Sequence, residues 1–194
     1  MVVGASASDG GSEAAIGALA GVSAAASGGA ASCGSVSGGS PGTLLASFVA
    51  DQGSPAANMV TMSQGGKSND TVTVRVNLTD TSSVYGVAFD VAYDETKVTY
   101  LGFTKGTALE TSGNVPNYTV DGSTQPGRLV VGVSRAGGSA TSVSGTKAVI
   151  SFNFRVKITG TYPAAFENAV ILDGQTTPQP LPGISWFGGA FEGV

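Results

Sequence analysis

Residues 71–79 read TVTVRVNLT. Val72, Val74, Val76 and Leu78 fall on one side of this run, and Thr71, Thr73, Arg75 and Asn77 on the other. A period of two is that of a strand with one face buried, and β-branched side chains suit the pleated surface. Residues 147–157, KAVISFNFRVK, repeat the pattern, with Ala148, Ile150, Phe152, Phe154 and Val156 expected inward. Residues 84–93 place Val87, Phe89, Val91 and Tyr93 inward, and Arg128–Ser134 places Leu129, Val131 and Val133 inward. Between Val98 and Phe103 the alternation changes phase, which predicts a bulge near Leu101. Shorter candidate strands lie at 44–50, 58–63, 117–121, 162–172 and 184–192. Turn signals stand between them at Gln64-Gly65-Gly66, Asp80-Thr81, Asp94-Glu95, Asp121-Gly122, Gly137-Gly138 and Asp173-Gly174. Some nine or ten short strands with no convincing helix predict an all-β sandwich or jelly roll.

The rest of the chain is different in kind. Of the first 42 residues, 31 are Gly, Ala or Ser, and every aromatic residue lies beyond them. The expected organisation is a low-complexity tail over 1–42 and one domain over 43–194. The tail's one apolar run, Ala14–Ala26, has 13 residues, too few to cross a bilayer as a helix. No basic residue precedes Lys67, so the positive start of a secretory signal is missing from these residues. Ala30-Ala31-Ser32-Cys33-Gly34-Ser35 resembles part of a bacterial lipobox, which makes Cys33 a candidate lipid anchor.

Composition excludes several classes of function. The 194 residues include 9 Lys and Arg against 13 Asp and Glu, for a net charge of −4, so the basic footprint of a nucleic-acid binder is absent. There is no histidine and one cysteine, which removes His-based triads, His-ligated metal sites, Cys₄ zinc clusters and any internal disulfide. No cofactor and no metal site is expected. Asp90, Asp94 and Glu95 lack the D-x-[DN]-x-[DN]-G spacing of a calcium loop, so Asp94 is expected to cap its turn. Trp186 and Phe187 form a lone aromatic pair, expected to be core near the last strand and not a sugar platform. Sequons stand at Asn69, Asn77 and Asn117, and matter only in a glycosylating host.

Three stretches carry a family resemblance. Asp70–Leu78 (DTVTVRVNL), Val84–Val98 (VYGVAFDVAYDETKV) and the segments from Arg128 to Asp173, including Phe166-Glu167-Asn168-Ala169, resemble the cohesin family. The resemblance implies a nine-stranded jelly-roll sandwich without catalytic activity, secreted or surface-displayed by a prokaryote, whose relatives bind dockerin modules on one sheet. Those relatives carry Asn and Asp at the positions that align with Gly86 and Ala88, so this chain departs from their polar contacts.

The outward side of the 84–93 strand, Gly86, Ala88, Asp90 and Ala92, is therefore a candidate partner-binding face, with Val130, Gly132 and Ser134 added if the strands are neighbours. A flat, weakly charged face accepts another protein with little charge to desolvate. The expected function is a non-enzymatic extracellular binding module that docks a surface protein, dockerin-like or a second copy of the chain, or a polysaccharide. The alternative is a structural subunit that polymerises with copies of itself through residues 1–50 by strand addition.

Overall fold

A computed structural model describes residues 43–111, 114–137 and 139–194. Cys33 and the Ala14–Ala26 run lie outside them. Among the described residues every regular element is a strand, and there are eleven: β1 (Ala46–Ala50), β2 (Met59–Ser68), β3 (Thr71–Val84), β4 (Gly86–Tyr93), β5 (Val98–Lys105), β6 (Asn117–Asp121), β7 (Arg128–Ser134), β8 (Thr141–Val156), β9 (Gly160–Leu172), β10 (Ser185–Phe187) and β11 (Gly189–Gly193). They form a six-stranded sheet, β1-β11-β9-β4-β7-β6, and a five-stranded sheet, β10-β2-β3-β8-β5. All pairings are antiparallel except β10 on β2.

The inward sets of 71–79 and 128–134 are buried as expected. Aromatic side chains join the two sheets. The ring of Phe154 on β8 meets Phe191 on β11 at 4.8 Å and Tyr93 on β4 at 5.4 Å. Trp186 on β10 meets Phe166 on β9 at 5.0 Å and Phe89 on β4 at 5.9 Å, but Trp186 and Phe187 are only half-buried, so Trp186 packs against the core where full burial of the pair was expected. Edge-to-face pairs of this kind add to the burial of apolar area that holds a sandwich together.

Several expectations are corrected. Gln64-Gly65-Gly66 is not a turn: β2 runs on to Ser68, and a register shift against β3 between Gln64 and Lys67 absorbs the glycines. Asp80-Thr81 is likewise internal to β3, where Asp80 takes φ 39° and the pairing with β8 slips between Thr79 and Thr81. A third slip sets Asn77 opposite Ala148 and leaves Val149 unpaired, so Val149 is buried and Ala148 only half-buried. Tyr93, at the end of its strand, is half-buried. The phase change at Leu101 is a register slip in the β5–β8 pairing, as expected.

The 184–192 run is two strands in different sheets, which raises the ten candidate strands to eleven. Gly188 is the crossing point: a Cβ there would lie 2.2 Å from the Ala164 carbonyl oxygen, so only glycine lets the chain pass this close to β9. The first strand of the described residues, β1, lies in its own sheet beside β11, from Ala46 opposite Gly193 to Ala50 opposite Gly189.

Candidate functional site

Strand β4 lies between β9 and β7, and register decides what shares its outer face. Gly86 is opposite Ser134, Ala88 opposite Gly132, Asp90 opposite Val130 and Ala92 opposite Arg128. The structure thus brings together all seven candidate residues on one face. On the far side of β7, β6 sets Asn117 beside Ser134 and Thr119 beside Gly132. On the other flank, β9 sets Leu172 beside Gly86, Val170 beside Ala88 and Ala165 beside Ala92.

The result is a cleft of about 180 Å³ on the sheet. Gly86, Ala88 and Gly132 are its floor, and Asn117, Thr119 and Leu172 its walls. The depth follows from the missing side chains. A Cβ on Gly132 would meet only the Thr119 Cβ, at 3.9 Å, so its outward side is open. A second hollow lies on the same face beyond Asp90, lined by Ala92, Gly127, Pro163 and Ala165.

Between the two hollows runs a bar of charge. Asp90 is 8% exposed, and its Oδ2 accepts hydrogen bonds from Arg128 Nη1 at 3.0 Å and Asn168 Nδ2 at 2.7 Å. Arg128 Nη2 also pairs with Glu167. Asn168 reaches Asp90 because it sits at the β9 register shift with φ 47°, a left-handed conformation that asparagine tolerates. Two carboxylates against one guanidinium leave the bar with a net charge of −1. Asp90 is therefore engaged within its own chain, and what a partner meets there is an acidic, pre-organised cluster.

Asp121 closes the edge of the face. Its carboxylate accepts from the hydroxyls of Thr124 and Ser123 and from their backbone N–H groups, at 3.1 and 2.8 Å for the latter two. The Thr124 hydroxyl first, then these amides, hold the Asp121 carboxyl well below the usual carboxylate range. Asp94 accepts from the Thr96 hydroxyl at 2.6 Å and its N–H at 2.9 Å, with its pKa lowered chiefly by that hydroxyl. It caps the β4–β5 turn. Among the described residues no group of three or more His, Cys, Asp or Glu side chains is placed to hold a metal. Of the sequons, Asn77 is 9% exposed and donates to Ser63 Oγ at 2.8 Å, which leaves it no room for a glycan in the folded chain.

Arg128, Glu167, Asn168 and the wall residues are not among the sequence candidates. Parity along β7 puts Arg128 on the same side as Val130, but only the sheet order places Glu167 and Asn168 beside Asp90.

The family model described as Cohesin domain matches residues 57–180. Among solved structures, the chain is similar to a type II cohesin domain from the cellulosome of Acetivibrio cellulolyticus, with 17% identity and a TM-score of 0.52, covering 77% of this chain and 95% of that one. It is also similar to the sixth cohesin of scaffoldin B from the same organism, solved in complex with a Cel5 dockerin mutant. That match has 23% identity and a TM-score of 0.51, and covers 62% and 86% of the two chains. A third, the seventh ScaB type I cohesin of Pseudobacteroides cellulosolvens, has 16% identity, a TM-score of 0.51 and coverage of 62% and 80%. No curated protein matches the chain.

Proposed function

The chain belongs to the cohesin domain family, a family of non-catalytic protein-binding modules, and on that footing we propose that it is an extracellular docking module which holds a protein partner on the outer face of β9-β4-β7-β6. The observation that carries this is the glycine-floored cleft beside a pre-organised acidic bar. An apolar ridge of a partner enters the cleft without displacing any charged side chain, and desolvating small apolar groups favours contact. The acidic bar then selects a partner that brings a cation, since like charges brought together oppose the wrong partner. Cohesins such as the A. cellulolyticus module above form complexes with dockerins, and a dockerin-like module is the partner class proposed here. The neutral, shallow floor at Gly86 and Ala88 gives few hydrogen bonds, so affinity is expected to come from apolar fit.

Titration calorimetry with a panel of dockerin modules and with soluble cello-oligosaccharides tests this. A dockerin is expected to bind the wild type, and Gly132→Leu to weaken it by about tenfold or more, equal to ~1.4 kcal/mol, with an unchanged thermal melt. A dockerin that binds both proteins equally places the partner elsewhere. Binding of the oligosaccharides alone replaces the protein partner with a polysaccharide.

A further inference from the structure

Strand β1 is attached differently from the other strands. It lies outside the 57–180 family match and is followed by the segment 51–58, which is exposed apart from a half-buried Gln52. It enters a slot and fills it. Ala46 and Phe48 are 2% and 5% exposed, and the Phe48 ring meets Phe191 at 5.2 Å edge to face. Gly189 makes the slot, since a Cβ there would lie 2.5 Å from the Phe48 ring. One edge of β1 pairs with β11, and Leu45 and Val194 exchange both backbone hydrogen bonds, at 2.8 and 3.0 Å. The other edge reaches across to the facing sheet. The Ala46 N–H donates to the Asn69 carbonyl at 2.6 Å, and the Phe48 N–H to Gln64 Oε1 at 2.9 Å.

We infer that β1 is an exchangeable strand, and that a second copy of this chain is the partner its slot accepts. The slot is shaped to a small residue followed two positions later by a phenyl ring, with donors at both, and residues 46–48 of another copy supply the same groups. Every contact of the closed form is then reproduced between chains, so the balance depends on the connecting segment and on concentration. Eight extended residues span roughly 27 Å, enough to carry β1 to a neighbour's slot. Release of β1 uncovers Ala46, Phe48 and the Phe191 ring that Phe48 covers, at one edge of the six-stranded sheet, which keeps the opening local and short of global unfolding. The slot is formed by β11 and the β2–β3 end, apart from the cleft over Gly132, so its test does not depend on the docking face.

Ser47 and Glu192 are opposite each other across β1 and β11, with Ser47 Oγ 3.3 Å from the Glu192 carboxylate. The separation of paired antiparallel residues suits a disulfide. In a chain carrying Cys33→Ser, the Ser47→Cys and Glu192→Cys variants are prepared separately, mixed at high concentration, warmed and oxidised. A covalent heterodimer is expected, in severalfold excess over a mixture of Ser47→Cys with Thr104→Cys on β5, which reports random collision. The yield is expected to rise with concentration during the warm step. The doubly substituted Ser47→Cys, Glu192→Cys chain verifies the register by closing within one molecule. If that chain closes while the mixture gives no more heterodimer than the collision pair, β1 does not exchange and the inference is wrong.

Discussion

Asp121 and Asp90 are both carboxylates of one sheet, Asp121 on the edge strand β6 and Asp90 on the internal strand β4, and the environment of each decides what it does. Asp90 is enclosed by Arg128 and Asn168 and organises the charge of the face. Asp121 is exposed and organises its own loop through the hydroxyls and amides of Ser123 and Thr124. Because its folded carboxyl titrates below the unfolded one, Asp121 contributes stability that is fully present at neutral pH. That contribution is lost as the pH falls from the ordinary carboxylate range towards the lowered value. Urea unfolding of the wild type and of Asp121→Ala is therefore expected to separate the two proteins at neutral pH. The difference should narrow steadily in strong acid, and a gap that widens in acid would contradict the assignment.

At the scale of elements, the strands are legible in the sequence and their endings are not. Alternation is local, so Val72 to Leu78 declare an inward face without any knowledge of the neighbour. Gln64-Gly65-Gly66 and Asp80-Thr81 look like turns because Gly and Asp favour them. A strand whose ladder to its neighbour resumes beyond the irregularity accommodates the same residues as bulges, since most of that ladder survives. Val149 is the same case seen from β8, where an extra residue rotates the inward set by one position. Gly188 is the converse, a residue with no strand signal that separates two strands of opposite sheets. Gly188→Ala is expected to cost about 2 kcal/mol, because the added methyl meets backbone that cannot yield. The urea midpoint measures this, and a neutral outcome would mean that β9 and the β10–β11 crossing move apart freely.

For the molecule as a whole, cohesion rests on two apolar faces closing on each other. The aromatic contacts Phe89–Trp186, Phe166–Trp186 and Phe154–Phe191 run from sheet to sheet. With a single cysteine in the chain no internal disulfide is available, and no metal cluster exists among the described residues. The melting temperature is accordingly expected to be unchanged by a reductant and by a chelator. A fall on chelation would reveal a bound cation that the side-chain arrangement does not suggest. The same closure explains why β1 is a clasp: it lies in one sheet and gives two N–H groups to the other.

The order of residues along the chain was enough to declare an all-β sandwich, to exclude histidine and thiolate chemistry, and to put Gly86, Ala88, Asp90 and Ala92 on one side of a strand. Each of these depends on composition or on a period of two, and neither needs a partner strand. Which strands are neighbours, and so whether Val130, Gly132 and Ser134 join that side, was decided only by the tertiary structure. So were the Asp90–Arg128–Glu167 bar, the cleft over Gly132 and the slot that receives Phe48. Pairing register is a relation between distant segments, set by how whole faces pack, and a strand's own side chains do not contain it.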